Sequence, residues 1–126
     1  MTATTPDSTV ATPFRDAVGI EPLGDGRYSA ELGSRWTVGP KAHGGLLVAL
    51  VAGAGLARVE AEAPGSAPDP VAVATDFLRA PDPEPVEMTT EVLRLGRTAS
   101  VVGVRMTQGG KLMLAGNGGS AADAQH

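Results

Sequence analysis

The chain has no cysteine, and that absence removes a disulfide framework, a thiolate zinc site and a cysteine nucleophile together. Histidine is scarce too. His43 and His126 are the two, too far apart for a local metal-ligand pair, so no metal site and no cofactor are expected. Aromatic residues make up only 3% of the chain, so a core has to be built from Val, Leu, Ala and Met. Lysine occurs twice against eight arginines, and the net charge is −4. That balance excludes a nucleic-acid partner held by clustered cations on phosphate. Long apolar runs are missing as well. The longest, 42–57, contains His43 and four glycines and ends at Arg58. It is shorter than the roughly 20 residues a bilayer span needs, and it reads as a buried core helix. The first thirteen residues carry neither the basic nor the apolar region of a secretory leader. The expectation is a cytoplasmic protein without a membrane segment.

What is present points to one domain. The chain has 126 residues, 42% of them hydrophobic, with 17 Gly and 10 Pro, a turn-rich composition suited to several strands and few helices. Residues 1–13 are rich in Thr, Ser and Pro and read as a disordered leader. Residues 14–18 suit a short helical turn, Gly24-Asp25-Gly26 a tight turn, and 27–32 a half-buried strand. Trp36 lies in an irregular stretch, where it would plug one end of the core. The run 42–58 is dominated by Ala and Leu and is too long for a strand, so it reads as a helix. Because it is apolar around nearly its whole circumference, protein has to surround it. Gly53 and Gly55 each cost about 1 kcal/mol of helix propensity, which suits a helix lying close to a sheet. Beyond it, 71–79, 86–95, 100–108 and 111–115 read as strands, with Gly109-Gly110 as a reversal. Residues 116–126, rich in Gly, Ala, Ser and Asp, read as a polar tail, leaving 14–115 as the folded domain. The fold class is α+β: an antiparallel meander with one long helix between its first strand and the rest.

Four short motifs then acquire meaning in their order. They are the Gly44-Gly45 pair opening the helix, Phe77-Leu78-Arg79-Ala80-Pro81, the stretch from Glu91 to Ser100 (E-V-L-R-L-G-R-T-A-S), and Gln108-Gly109-Gly110-Lys111. Together they resemble the acyl-CoA thioesterase II family, over residues 14–115. The resemblance implies a hotdog fold, a curved antiparallel sheet wrapped around a central helix. Members of that family typically carry two hotdog halves, and this chain is similar to the N-terminal one. The family's catalytic Asp, Ser or Thr, and Gln belong to the other half. Of these only the glutamine has a counterpart, Gln108. His43-Gly44-Gly45 stands where the catalytic half would have its Asp, and Thr75 lies near the hydroxyl position.

Thioester hydrolysis needs an activated water and donors aimed at the developing oxyanion, and the unpaired N–H groups of a helix N-terminus are such donors. Gly45 is therefore a candidate donor, and Gly44 lets substrate approach without a Cβ in the way. His43 and Asp76 are the candidate bases. Against these stand a helix-cap role for His43 and an outward-facing Asp76, alternating with Phe77. Gln108, uncharged, can hold a water or a carbonyl through its amide. Phe77 would line the acyl site, and Arg79, Arg94 and Arg97 are candidates to meet the phosphates of coenzyme A, which would emerge near Arg79 and Arg97; against this stands a role as solvated strand-edge arginines. No G-x-S-x-G elbow, dinucleotide-binding glycine pattern or phosphate-binding loop is present.

The expected function is hydrolysis of acyl-CoA thioesters in lipid metabolism by a homodimer or higher oligomer, whose paired sheets cover an exposed edge. The acyl chain would run beside the helix, with coenzyme A emerging at the subunit interface. The alternative is a non-catalytic acyl-CoA-binding or structural half, such as a truncated or frame-shifted thioesterase.

Overall fold

Alternating apolar residues along the second half of the chain build the scaffold. In a computed structural model, which describes residues 18–33, 37–66 and 68–121, they form four long strands. These are β5 (Asp69–Phe77), β6 (Val86–Arg94), β7 (Ala99–Gln108) and β8 (Lys111–Ala121). A short hairpin, β1 (Glu21–Gly24) and β2 (Arg27–Ala30), turns at Gly24-Asp25-Gly26 and extends the sheet. The order is β1-β2-β6-β7-β8-β5, antiparallel throughout. A separate two-stranded ribbon, β3 (Thr37–Val38) and β4 (Lys41–Ala42), leads directly into the one long helix among the described residues, α1 (Gly44–Glu62).

Register decides what the helix meets. Tyr28, Met88, Met106, Leu114 and Phe77 are successive cross-strand partners and form one row across the inner face. The first four are buried, and Phe77, on the edge strand, is 52% exposed. Against this face α1 buries Leu46, Leu47, Leu50, Val51, Ala54 and Val59. Each Leu or Val so buried contributes about 1.5–3 kcal/mol of transfer free energy, which makes this contact the centre of the core. This is the wrapped-helix arrangement of a hotdog fold.

Several details depart from the sequence reading. Residues 116–121 are not a tail. They complete β8, which is paired on one side with β7 and on the other with β5 out to Asp69↔Ala121. Glycine is needed there because β5 lies so close: a Cβ on Gly116 would stand 2.7 Å from the Ala74 carbonyl oxygen, and one on Gly118 would stand 3.0 Å from that of Ala72. Arg58 ends the apolar run but stays half-buried. It turns inward, donating from Nη1 to the Thr90 carbonyl and hydroxyl oxygens, 3.1 Å each, and from Nε to Glu62 at 3.0 Å. Only Gly55 of the two mid-helix glycines faces the sheet, toward Val102 and Val104, whereas Gly53 has open space beside it. A single sheet thus covers one side of the helix, leaving Val48, Ala49, Ala52 and Gly53 half-buried. By length and a mean hydropathy of 1.5 this helix also matches a membrane span, and one third of it is buried within the protein. The leader, residues 14–17, Trp36 and 122–126 lie outside the described residues.

Candidate active site at the start of the helix

The ribbon β3–β4 delivers the chain to α1 through His43, the N-cap residue, in extended conformation at φ −71° and ψ 132°. Its imidazole folds back so that Nδ1 accepts the Gly45 N–H at 2.9 Å. Glycine permits this: a Cβ on Gly45 would lie 2.9 Å from Cε1 and 3.1 Å from Nδ1 of the same ring. The Gly45 donor is therefore occupied by His43. Among the described residues, the first-turn N–H groups of Gly44 and Leu46 have no acceptor; Gly44 is exposed, whereas Leu46 is buried. Because Nδ1 accepts, the neutral ring carries its proton on Nε2 and presents a donor there, not a base.

Gly44 opens onto a cleft of about 310 Å³ lined by Ala42, Leu47, Phe77, Leu78, Arg79 and Ala80. Phe77 Cζ stands 3.9 Å from where a Gly44 Cβ would be. Phe77 and Leu78, more than half exposed, form an apolar wall at the mouth, and Arg79 brings a cation to the same rim. Leu78 and Arg79 both donate their N–H to the Met113 carbonyl, which fixes this wall to β8. The crevice that runs between α1 and β5, past Val51, Gly55 and Val73, has only about 20 Å³ of space. That is room for about one water, not for an acyl chain.

The remaining predicted residues separate. Asp76 is the partner of Ala115, which pairs with Arg105, in a row alternating with the buried Met106–Leu114 row. It lies on the outer face, exposed, away from the helix start. Thr75 is on the inner face, its hydroxyl buried and without a hydrogen-bond partner. Arg97 is at the other end of α1, in a cleft with Val59, Ala63 and Ser66. A helix of 19 residues is about 28 Å long, so Arg97 and Arg79 do not share a site within one chain. Gln108 has its amide committed: Oε1 accepts from Asp82 N–H at 2.9 Å, and Nε2 donates to the carbonyls of Asp82 at 2.9 Å and Glu84 at 3.0 Å. No donor is left on it for an oxyanion.

Two residues near the helix start escaped the sequence reading. Lys41 on β4 pairs with Asp82 at 2.7 Å, and the Ala42 N–H donates to the Pro81 carbonyl at 3.0 Å. The 41-residue separation of that ion pair leaves no local spacing from which to find it.

Residues 32–119 match the family model described as the acyl-CoA thioesterase N-terminal domain. A Mycobacterium tuberculosis protein, itself uncharacterised, is 46% identical over 86 residues, which are 67% of this chain and 29% of that protein. The chain thus spans less than a third of this relative's length. A solved chain from Thermobifida fusca, assigned to thioesterase II, superposes with a TM-score of 0.77 at 26% identity, covering 90% of this chain and 42% of that one. A Bacillus halodurans protein solved with CoA shares the fold at a TM-score of 0.73 and 16% identity, covering 95% of this chain and 92% of its own.

Proposed function

Because the chain belongs to the acyl-CoA thioesterase N-terminal domain family, we propose that it binds acyl-CoA thioesters at the start of α1 and hydrolyses them there. The observation that carries this reading is the open cleft at Gly44. It combines an unpaired helix N–H group, that of Gly44, with an apolar wall and a cation, the three things an acyl-CoA thioester requires. The thioester carbonyl oxygen would accept from the Gly44 N–H group, where the helix macrodipole favours the charge that develops on attack. The acyl chain would lie against Leu47, Phe77 and Leu78. Arg79 would face the phosphates, for which a guanidinium is a good partner. His43 Nε2–H would donate to the carbonyl or to the departing thiolate.

We further propose that a second copy pairs along β5, the longer of the two sheet edges among the described residues, and covers the half-buried side of α1. CoA bound to a hotdog neighbour of similar length is consistent with a single hotdog chain serving this ligand.

A binding role without turnover is the second reading, favoured by a specific observation. The carboxylate expected to act as base, Asp76, is on the outer face, and His43 Nδ1 is occupied by the cap bond. Thiol release across acyl-CoA chain lengths, paired with calorimetric titration of CoA, separates the two. Thiol release supports hydrolysis. Saturable CoA binding with no thiol release selects the binding role. A folded protein that does neither refutes both.

A further inference from the structure

Gln108 is the best-connected polar side chain near the helix start, and none of its bonds goes to the cleft. It meets the loop that joins β5 to β6, whose sequence Pro81-Asp82-Pro83-Glu84-Pro85 places a proline at every second position. Proline has no N–H, so this five-residue loop has two backbone donors, on Asp82 and Glu84. Glu84 N–H goes to the Asp82 carbonyl at 2.7 Å, leaving the Asp82 N–H and the Glu84 carbonyl to find partners elsewhere. A side-chain amide, an acceptor and a double donor at once, matches that deficit: Gln108 accepts from Asp82 and donates to the carbonyls of Asp82 and Glu84.

The same loop holds the helix start. Pro81 is fully buried and its carbonyl accepts the Ala42 N–H, while the Asp82 carboxylate pairs with Lys41. Ala42 immediately precedes His43, whose ring occupies the Gly45 N–H. We propose that Gln108 is a positioning residue: through loop 81–85 and β4 it sets the geometry of His43, Gly44 and Gly45 without touching substrate. The proposal rests on the helix start being the reactive site. The amide is required for its donors, so Gln108→Glu, which keeps the shape, loses two of three bonds and sets a carboxylate against two carbonyls.

Gln108→Ala, Gln108→Glu, Lys41→Met and the double variant Lys41→Met/Gln108→Ala test this by thiol-release kinetics and by amide hydrogen exchange. Each single variant is expected to lower kcat about 10- to 100-fold with KM within about threefold, because misplacing a reacting group by an ångström costs that much. The double variant is expected to be no slower than the worse single variant, since both cut one link. Exchange at Gly45 and Ala42 should accelerate about tenfold while Met88, Met106 and Leu114 stay protected. Multiplicative losses in the double variant, or lost activity with unchanged exchange at Gly45, would mean that Gln108 acts on substrate directly. Accelerated exchange throughout the core would reduce it to a stability residue. If the wild type releases no thiol, the proposed hydrolysis fails, and the exchange measurements alone still decide the coupling.

Discussion

His43 has two nitrogens and two possible duties, and the structure separates them. Nδ1 satisfies an orphan helix donor, while Nε2 has no hydrogen-bond partner among the described residues. Asparagine is among the best N-cap residues and can accept the same Gly45 N–H, but it has no ring nitrogen to reach a substrate. His43→Asn should therefore leave unfolding free energy within about 0.5 kcal/mol, whereas His43→Ala should lose about 0.5–2 kcal/mol with the cap. If Nε2 serves hydrolysis, kcat in His43→Asn falls on the order of 100-fold. Full activity in that variant would reduce His43 to a cap. Tyr28 gives a second test at this scale, because it is the sole tyrosine. Burial holds its phenol above the ordinary 10.0, opposed by the nearby Arg58 guanidinium and assisted by Glu62. Since the folded state prefers the protonated phenol, its contribution is fully present below the unfolded value near pH 10. It is lost as pH rises through the higher folded value. Urea unfolding followed from pH 8 to 11 should show a fall in stability above about pH 10 that Tyr28→Phe removes. Tyrosinate absorbance should rise later in native protein than in denatured protein.

Elements were legible wherever periodicity and turn chemistry agreed, and lost where one contradicted the other. The helix, the Gly24–Gly26 turn and strands β5, β6 and β7 emerge within a few residues of their expected bounds. Gly109-Gly110 works as the β7–β8 reversal because both residues hold positive φ, 60° and 81°. The end of β8 is not legible in the sequence because Gly116, Gly118 and Gly119 signal loop by composition, while their actual cause is non-local. Two of them clear room for β5 carbonyls some 40 residues away, a contact that no window along the chain contains. The candidate site divides in the same way. Gly44 and Gly45 could be found from local spacing, but the engagement of Gln108 with loop 81–85 and the Lys41–Asp82 pair are set by tertiary structure. A paired substitution tests the β8 account. Valine normally favours a strand over glycine, yet Gly116→Val would drive side-chain atoms into the Ala74 carbonyl and should cost about 1–3 kcal/mol. At Gly103 on neighbouring β7 the nearest atom to a new Cβ is Leu93 Cδ1 at 3.7 Å, an ordinary contact. Gly103→Val should be neutral or stabilising in thermal and urea unfolding. Equal losses at both positions would mean that strand β8 does not depend on close approach.

At the scale of the whole molecule, the sheet ends on β5 without a neighbour among the described residues, and that edge carries an exposed Val71 at 68% and Phe77 at its far end. Beside it lie Ala52 and Leu56 of α1, half-buried although apolar. Nine residues of open edge next to an apolar helix face are unlike the short or charged edges that isolated sheets use to avoid pairing. Antiparallel pairing of β5 with its copy about a two-fold axis would extend the sheet and cover both surfaces. It would also reverse one chain relative to the other, bringing the Asp69 end of one copy beside the Phe77 end of its mate. The end of α1 that holds Arg97 of the partner subunit would then approach the cleft that holds Arg79. Two arginines at opposite ends of a helix about 28 Å long could in this way flank one ligand. Light scattering coupled to gel filtration should find twice the chain mass for the wild type. Val71→Lys/Ala74→Lys, which places like charges across the axis, should give the monomer mass. If the ligand is shared, the monomeric variant should lose CoA affinity, and Arg97→Ala should weaken binding in the dimer about 10-fold, as for a hydrogen bond to a charged group. A monomeric wild type with intact CoA binding would rule out the shared site, and Arg97→Ala without effect in a confirmed dimer would confine recognition to Arg79.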